Sequence, residues 1–175
     1  DLYEYVDRND ASVQKVLNGG LIYMDIIFVY LLLNKNSVSN DHWLYYPDKE
    51  IIFNRSVEFK NWSKHMCPNG KTAICLDITC FEGDKTWLLA KKEIVKNCID
   101  DAQKVSLINK VDVFDSLVVK VKNAYPYYSL DYKQKLNKVI EFFEYNKKIS
   151  CLGRTGIFRY NNSDGSIEMG KELAN

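Results

Sequence analysis

The longest apolar run, Leu21 to Leu33, most restricts what this chain can fold into. Its 13 residues carry a single charge, Asp25. A membrane-spanning helix needs about 20 apolar residues, so the run is too short to cross a bilayer. Gly19 and Gly20 precede it and a polar, turn-like stretch follows, which is typical of a buried strand. We therefore predict a long buried strand and no membrane span.

The remaining sequence alternates between short strands and amphipathic helices. Strands are predicted over residues 42–46, 51–59, 71–81, 111–121 and 149–152, and the first two are close enough to form a hairpin. Helices are predicted around residues 11–17, over 90–105, over 132–143 and after a cap at Asp164 or Ser166. This order predicts an α+β fold: a mixed, largely antiparallel sheet with helices packed against it.

Charge and cysteine content narrow the functional classes. The 24 basic and 23 acidic residues nearly cancel and form no like-charge block, which argues against nucleic-acid binding. The five cysteines are odd in number and none are spaced as a CxxC pair, so neither a disulfide framework nor a metal site is indicated. We expect reduced core thiols in a cytoplasmic protein.

Arg55 is the first candidate functional residue, because alternation over residues 51–59 places it on an otherwise apolar strand face. That face carries Ile51, Phe53, Val57 and Phe59. A guanidinium there is costly unless an anion meets it. The anion is either an internal carboxylate, Asp77 or Glu58, or a ligand phosphate, which suits the five-donor fork of arginine. From the residues alone, the internal carboxylate is the preferred interpretation.

The C-terminal segment combines a short strand, a glycine-rich loop and the start of a helix. Gly153 and Gly156 allow the backbone to approach a ligand closely. The amides at the start of the following helix suit an anion or an electron-rich carbonyl. An ordinary strand–loop–helix connection has the same pattern, so both interpretations remain open.

Four motifs, taken in order, resemble the UDP-galactopyranose mutases, most closely the eukaryotic-type enzymes and their bacterial relatives. The motifs are His42-Trp43-Leu44-Tyr45-Tyr46-Pro47 with Phe53-Asn54-Arg55, Glu58-Phe59-Lys60-Asn61-Trp62-Ser63, Ala124-Tyr125-Pro126, and Gly153-Arg154-Thr155-Gly156 leading to Tyr160 and Asp164. The implied fold is the substrate domain of an FAD-binding flavoprotein, residues 1–148, followed by the last strand, loop and helix of its FAD domain, residues 149–175.

The resemblance also implies roles for particular residues. The residues that would bind the diphosphate of a UDP-sugar are Arg55, Tyr125 and Tyr160. Those that would line its sugar side are Trp43 and Tyr45. Those that would meet the flavin are Gly153 and Arg154, with Asn162, Ser163 and Asp164 beside its isoalloxazine ring. No metal is implied.

The activity implied by the resemblance is interconversion of UDP-galactopyranose and UDP-galactofuranose through a flavin N5–sugar adduct, in the synthesis of surface lipopolysaccharide or polysaccharide. Complete members begin with a GxGxxG turn that cradles the FAD pyrophosphate, and this sequence has none. The chain also opens on Asp1 rather than Met, so we expect a C-terminal piece of a longer protein. Alone, it is expected to bind FAD weakly or not at all and to be inactive.

Two other functions remain open. An FAD-dependent amine or protoporphyrinogen oxidase shares the wider fold and would use the same flavin-facing residues. Arg55 and Tyr125 favour the mutase, because an oxidase has no evident use for a diphosphate clamp. The second alternative is a non-catalytic α+β binding module, which the missing cofactor motif favours and the C-terminal motif disfavours.

Overall fold

A five-stranded sheet with surrounding helices is present in the computed structural model, which describes residues 11, 15, 18, 20–145 and 149–174. The strands are β1 (Ile22–Leu33), β2 (Trp43–Tyr45), β3 (Arg55–Glu58), β4 (Thr72–Cys80) and β5 (Val113–Tyr127). The helices with defined bounds are α1 (Phe59–Trp62), α2 (Lys85–Leu88), α3 (Lys91–Lys104), α4 (Tyr132–Tyr145), α5 (Gly153–Gly156) and α6 (Ser163–Ala174). The helix predicted around residues 11–17 lies largely outside the described residues. Among those described, no helix combines the length and apolar character needed to cross a membrane.

The strands follow the order β2-β3-β4-β1-β5 across the sheet. The β2–β3, β3–β4 and β4–β1 pairings are antiparallel, which confirms both the predicted hairpin and the α+β class. Contacts divide the chain into two compact units, Asp25–Lys122 and a second unit made of Asp1–Met24 and Asn123–Asn175. The boundaries between them fall inside β1 and β5. The resemblance implies a boundary between a substrate domain, residues 1–148, and an FAD domain, residues 149–175, and that boundary stays a prediction.

The core of the Asp25–Lys122 unit lies between β1, β4 and α3. Alternate residues of β1 are fully buried: Ile27, Val29, Leu31 and Leu33. They join a cluster with Ile74, Leu76 and Ile78 of β4 and Ile94, Cys98 and Ala102 of α3. Every second residue of a strand lies on the same face, and so does every fourth residue of a helix. The buried faces of β1, β4 and α3 therefore pack against one another. Burying each large aliphatic side chain contributes about 1.5–3 kcal/mol.

Two predicted strands differ from those observed. The strand predicted over residues 51–59 shortens to β3, because Ile51 and Phe53 are buried ahead of it and Phe59 begins α1. The strand predicted over 111–121 starts two residues later and continues to Tyr127. Of its alternating residues, Leu117 is exposed while Val118 on the opposite face joins the core.

The C-terminal segment also differs from expectation. Residues 149–152 form no strand, and Ile149 and Cys151 instead pack on Val139 and Phe143 of α4. Burial against a helix satisfies these apolar side chains without strand pairing. The final helix begins at Ser163, so Asp164 lies in its first turn rather than at its cap.

A buried carboxylate, Glu58, organises one end of the sheet. Its side chain accepts hydrogen bonds from the Val38 amide at 2.9 and 3.0 Å, the Ser39 amide at 2.8 Å and the Thr72 hydroxyl at 2.7 Å. Glu58 is only 3% exposed. If its carboxylate were removed, each of these donors would lose its hydrogen-bond partner. One side chain therefore ties the loop before β2 to β3 and β4.

Replacing Glu58 is expected to destabilise the protein strongly. Glu58→Ala removes the acceptor of the Val38 and Ser39 amides and of the Thr72 hydroxyl, and we expect a loss of roughly 3 kcal/mol in the free energy of unfolding, measured by urea denaturation. The control, Glu172→Ala in exposed α6, should change it by less than about 0.5 kcal/mol. A loss below about 1 kcal/mol for Glu58→Ala would contradict this organising role.

All five cysteines are free thiols. Burial raises the pKa of Cys98 to about 12 and that of Cys80 to about 11. Burial also raises the pKa of Cys75, with the nearby Asp77 charge adding to the rise. Cys67 is partly exposed and lies outside the buried set.

Thiol labelling should follow this difference in burial. Because the thiolate is the reactive form, iodoacetamide at about pH 8 should alkylate Cys67 at least about tenfold faster than Cys98. Peptide mass spectrometry measures the two rates, and in denaturant all five thiols should react alike. Equal native rates for Cys67 and Cys98 would show that the α3 face is open to reagent.

Candidate functional site

Two cross-strand rows bring predicted site residues onto one face of the sheet. In the first row, Tyr45 of β2 lies opposite Arg55 of β3, which lies opposite Asp77 of β4. In the second row, Trp43 lies opposite Val57, which lies opposite Cys75. Directly opposed residues of antiparallel strands share a face, so Trp43, Tyr45 and Arg55 lie together.

The two rows continue onto β1 with aromatic residues. Phe28 lies opposite Asp77, and Tyr30 lies opposite Cys75. Tyr30 also stacks on Phe59, with ring centroids 5.9 Å apart and planes 15° from parallel. The face around Arg55 is therefore largely aromatic.

Arg55 meets the internal carboxylate Asp77, one of the two that the sequence allowed. The guanidinium donates from Nε at 2.8 Å and from Nη2 to the same oxygen, Oδ2. Glu58, the other carboxylate considered, is bound by Val38, Ser39 and Thr72 instead. A phosphate role for Arg55 stays a prediction.

The burial around Arg55 corrects one expectation. In β3 the buried side chains are Ser56 and Glu58, whereas Arg55 and Val57 are half-buried. The Arg55 side chain is 25% exposed and that of Asp77 only 5%. Arg55 is therefore partly open to solvent rather than enclosed in the apolar core.

Asp77 is the least exposed member of this group. Burial raises the pKa of its carboxyl group, and the hydrogen bonds from Arg55 oppose that rise. Its second oxygen, Oδ1, lies 3.6 Å from the Cys75 sulfur, which donates to it. Asp77 thus has contacts on both oxygens, and these fix the plane in which it holds Arg55.

A second group of predicted residues surrounds Arg154 in the other unit. Its guanidinium carbon lies 4.6 Å from the centroid of the Tyr160 ring and 5.2 Å from that of Tyr125. The two rings are 5.5 Å apart. Arg154 also donates two hydrogen bonds to the Asn161 carbonyl, at 3.1 Å from Nε and 2.5 Å from Nη2. Cation–π attraction therefore holds Arg154 against both tyrosine rings, and its two hydrogen bonds fix it to the Asn161 carbonyl.

An aromatic cluster fixes the loop that carries Tyr160. Phe158 is 2% exposed and contacts the rings of Tyr23, Tyr128 and Tyr132. Its φ of 51° is uncommon for a residue other than glycine, and the burial of its ring stabilises it there. The Tyr160 amide donates to the Tyr128 hydroxyl at 2.7 Å.

Sequence reasoning did not single out Tyr128, Phe158 or Asn161. A left-handed φ at a phenylalanine leaves no mark in the sequence, unlike the φ of 75° at Gly153. Asn161 is the residue before the predicted Asn162, so the polar run over residues 161–164 is the sequence feature that could have pointed to Asn161 as a site residue.

The start of α6 has features that fit the ring end of a flavin. Asn162, Ser163 and Asp164 are exposed there, and Asp164 lies in the first turn, where a negative charge is stabilised by the helix dipole. The Asn161 Oδ1 atom is buried and has no hydrogen-bond partner among the described residues. A buried unpaired acceptor is costly unless a donor reaches it. The pyrophosphate end of FAD would need a glycine-rich turn that this sequence lacks.

No protein-family model matches the sequence, and no curated protein matches it. A structure of reduced UDP-galactopyranose mutase is similar over 91% of this chain and 34% of its own, with a TM-score of 0.80 and 21% identity. A protein assigned as a protoporphyrinogen oxidase from Exiguobacterium sp. 255-15 is similar over 95% of this chain and 38% of its own, with a TM-score of 0.66 and 11% identity. This chain therefore has a fold that both structures contain, and it agrees with the resemblance found in the motifs. The chain spans little more than a third of the length of either structure.

Changing Arg154 should loosen the loop that carries Tyr160. Arg154→Lys keeps the charge but loses the fork and its stacking on two rings, which is expected to cost about 1–2 kcal/mol locally. Amide hydrogen exchange at Tyr160 should then be roughly 5–30 times faster. The matched change at exposed Arg159, Arg159→Lys, should leave that exchange unchanged. Equal exchange in both variants would mean that the guanidinium contributes nothing to the loop.

Proposed function

We propose that this chain supplies the sugar-nucleotide side of an FAD-dependent protein that interconverts UDP-galactopyranose and UDP-galactofuranose for surface polysaccharide synthesis. The observation that carries the proposal is the row Tyr45–Arg55–Asp77, which presents a guanidinium on an aromatic sheet face. The fold likeness to reduced UDP-galactopyranose mutase supports it. The activity would belong to a longer protein that contains this chain, because the chain spans little more than a third of either similar structure.

Arg55 is suited to hold the diphosphate that leaves and returns during such a reaction. Asp77 fixes the guanidinium through Nε and Nη2, so less side-chain freedom is lost when a ligand binds. Charge that develops on a departing diphosphate is stabilised by a positioned cation. Asp77 neutralises part of the positive charge of Arg55. The hydrogen bond that Cys75 donates to Asp77 keeps the Asp77 carboxylate in place.

The resemblance proposes further substrate residues in each of the two units. Trp43 and Tyr45 would line the sugar side, and they are 45% and 64% exposed on the face of Arg55. Tyr125 and Tyr160 would direct their hydroxyl groups to the diphosphate. Arg154 supports this role because it holds both tyrosine rings from one position.

The residues proposed to hold FAD are Gly153, Arg154, Asn162, Ser163 and Asp164. Reduced flavin would supply the nucleophile that displaces UDP from the anomeric carbon. Residues 149–175 would then be the last part of the FAD domain, and 1–148 the substrate domain. Without a GxGxxG turn these 175 residues should retain little FAD and be inactive alone, and stoichiometric flavin absorbance in the purified chain would contradict that.

Titration with UDP tests the diphosphate site in this chain directly. Arg55→Lys keeps a positive charge but loses the bidentate geometry, so calorimetry should show UDP binding at least about tenfold weaker than in the unchanged chain. Arg159→Lys makes the same chemical change at an exposed site and should bind like the unchanged chain. Failure of the unchanged chain to bind UDP, or equal binding by Arg55→Lys, would reject Arg55 as the diphosphate ligand.

An FAD-dependent oxidase is the second candidate, favoured by the likeness to the protein assigned as a protoporphyrinogen oxidase. The longer protein distinguishes the two. With reduced flavin, a mutase forms UDP-galactofuranose, which chromatography separates from UDP-galactopyranose. Turnover of an amine or a porphyrinogen with release of peroxide would instead identify the oxidase. UDP binding by a longer protein that lacks flavin would favour the non-catalytic binding module.

A further inference from the structure

The ion pair of Arg55 and Asp77 joins a partly open cation to a buried carboxylate. The Arg55 side chain is 25% exposed and that of Asp77 only 5%. Two guanidinium atoms, Nε and Nη2, donate to the same carboxylate oxygen, Oδ2. A ligand that arrives from solvent therefore reaches the arginine before the carboxylate, and an anion that binds there adds negative charge beside Asp77.

The other groups that face Asp77 do not carry a balancing charge. Among the described residues, the charged or titratable side chains around it are Arg55 of β3, Cys75 of β4 and Tyr30 of β1. The Cys75 thiol donates to Oδ1 at 3.6 Å, and Tyr30 lies opposite Cys75. A thiol and a phenol are neutral near pH 7, so within this part of the chain Arg55 is the cation that balances the carboxylate.

Burial already favours the neutral form of Asp77. It raises the pKa of the Asp77 carboxyl group, whereas the hydrogen bonds and charge of Arg55 and the thiol of Cys75 lower that pKa. These two neighbours are what favours the charged form. A diphosphate at Arg55 brings two negative charges and draws on the same guanidinium, so the pKa of Asp77 rises when the diphosphate binds.

We propose that Asp77 takes up a proton from solvent when the diphosphate of a UDP-sugar binds Arg55. The new O–H bond forms at Oδ2, the oxygen that accepts from Arg55 in the absence of ligand, and it turns this acceptor into a donor. The neutral carboxyl group then no longer competes with the ligand for the guanidinium. This inference rests on the proposed function, because it takes Arg55 as the diphosphate ligand.

Proton uptake makes the affinity of the site depend on pH. Because the bound state holds more protons than the free state, affinity rises as the pH falls through the range in which Asp77 titrates in the complex. UDP-galactose is the suitable ligand for a test. Both of its phosphates are esterified and keep fixed charges over this range, whereas the terminal phosphate of UDP itself titrates at about pH 6.

Calorimetric titration of the 175-residue chain with UDP-galactose tests the proposal. At about pH 6.5, the binding enthalpies in two buffers of different ionisation enthalpy give the number of protons taken up, and we expect roughly 0.2–1 per ligand. Affinity should be at least about threefold higher at about pH 5.5 than at about pH 8.

Replacement of Asp77 separates proton uptake from simple positioning of Arg55. Asp77→Asn has no proton to gain, so it should show neither proton uptake nor this pH dependence. Its side chain is always neutral, so at about pH 8 it should bind UDP-galactose at least as tightly as the unchanged chain. If Asp77 only positioned Arg55, the same variant would bind more weakly at every pH.

Three further variants identify the source of the proton uptake. Cys75→Ala removes the thiol that favours charged Asp77, so the pH dependence should move to higher pH. Cys98→Ala makes the same change at a buried thiol of α3 and should leave the pH dependence in place. Histidine is the other side chain that titrates near neutral pH, and a variant with both His42→Gln and His65→Gln should retain the proton uptake.

The outcomes distinguish this inference from the proposed function. Binding of UDP-galactose without proton uptake overturns the inference alone, and so does proton uptake that persists in Asp77→Asn. Failure of UDP-galactose to bind rejects the diphosphate site itself, and the inference with it. Circular dichroism establishes whether Asp77→Asn folds. If it does not, the buffer dependence of the unchanged chain and the shift in Cys75→Ala decide the result.

Discussion

The Glu58 carboxylate is the constraint on which the sheet face with Arg55 depends. It is buried, and it accepts from the Val38 and Ser39 amides and the Thr72 hydroxyl, while the Asn61 amide lies 3.4 Å away. These contacts join the loop before β2 to β3, β4 and α1. A buried charge is tolerated only with such partners, so the loop that carries Asp41 and His42 is ordered by the same requirement.

Two arginines have opposite surroundings in the two units. Arg55 meets a buried carboxylate, so its charge is balanced within the protein. Arg154 meets a carbonyl and two tyrosine rings, which attract a cation without neutralising it. An anion that approaches Arg55 therefore competes with Asp77, whereas one that approaches Arg154 competes with a neutral carbonyl and two ring faces. Contacts within the protein position both guanidinium groups.

Much of the fold could be predicted from the sequence because its apolar residues recur with clear strand and helix periodicity. The apolar alternation of β1 and the spacing of Ile94, Cys98 and Ala102 in α3 specified buried faces directly. The strands predicted over residues 51–54 and 149–152 were wrong, because apolar side chains can be buried by packing without pairing in a strand. The aromatic and arginine motifs selected Trp43, Tyr45, Arg55, Tyr125, Arg154 and Tyr160 in advance, but not their contacts.

The sequence by itself determined the α+β class, the buried strand β1 and the identity of the chemically capable residues, because hydrophobic period and residue type are local properties. The tertiary structure decided that Asp77 rather than Glu58 meets Arg55, since strand register sets which residues lie opposite each other. It also decided that Trp62 stands beside Trp43 and that Arg154 contacts both tyrosine rings. Such contacts join residues far apart in the chain, so no local pattern could specify them.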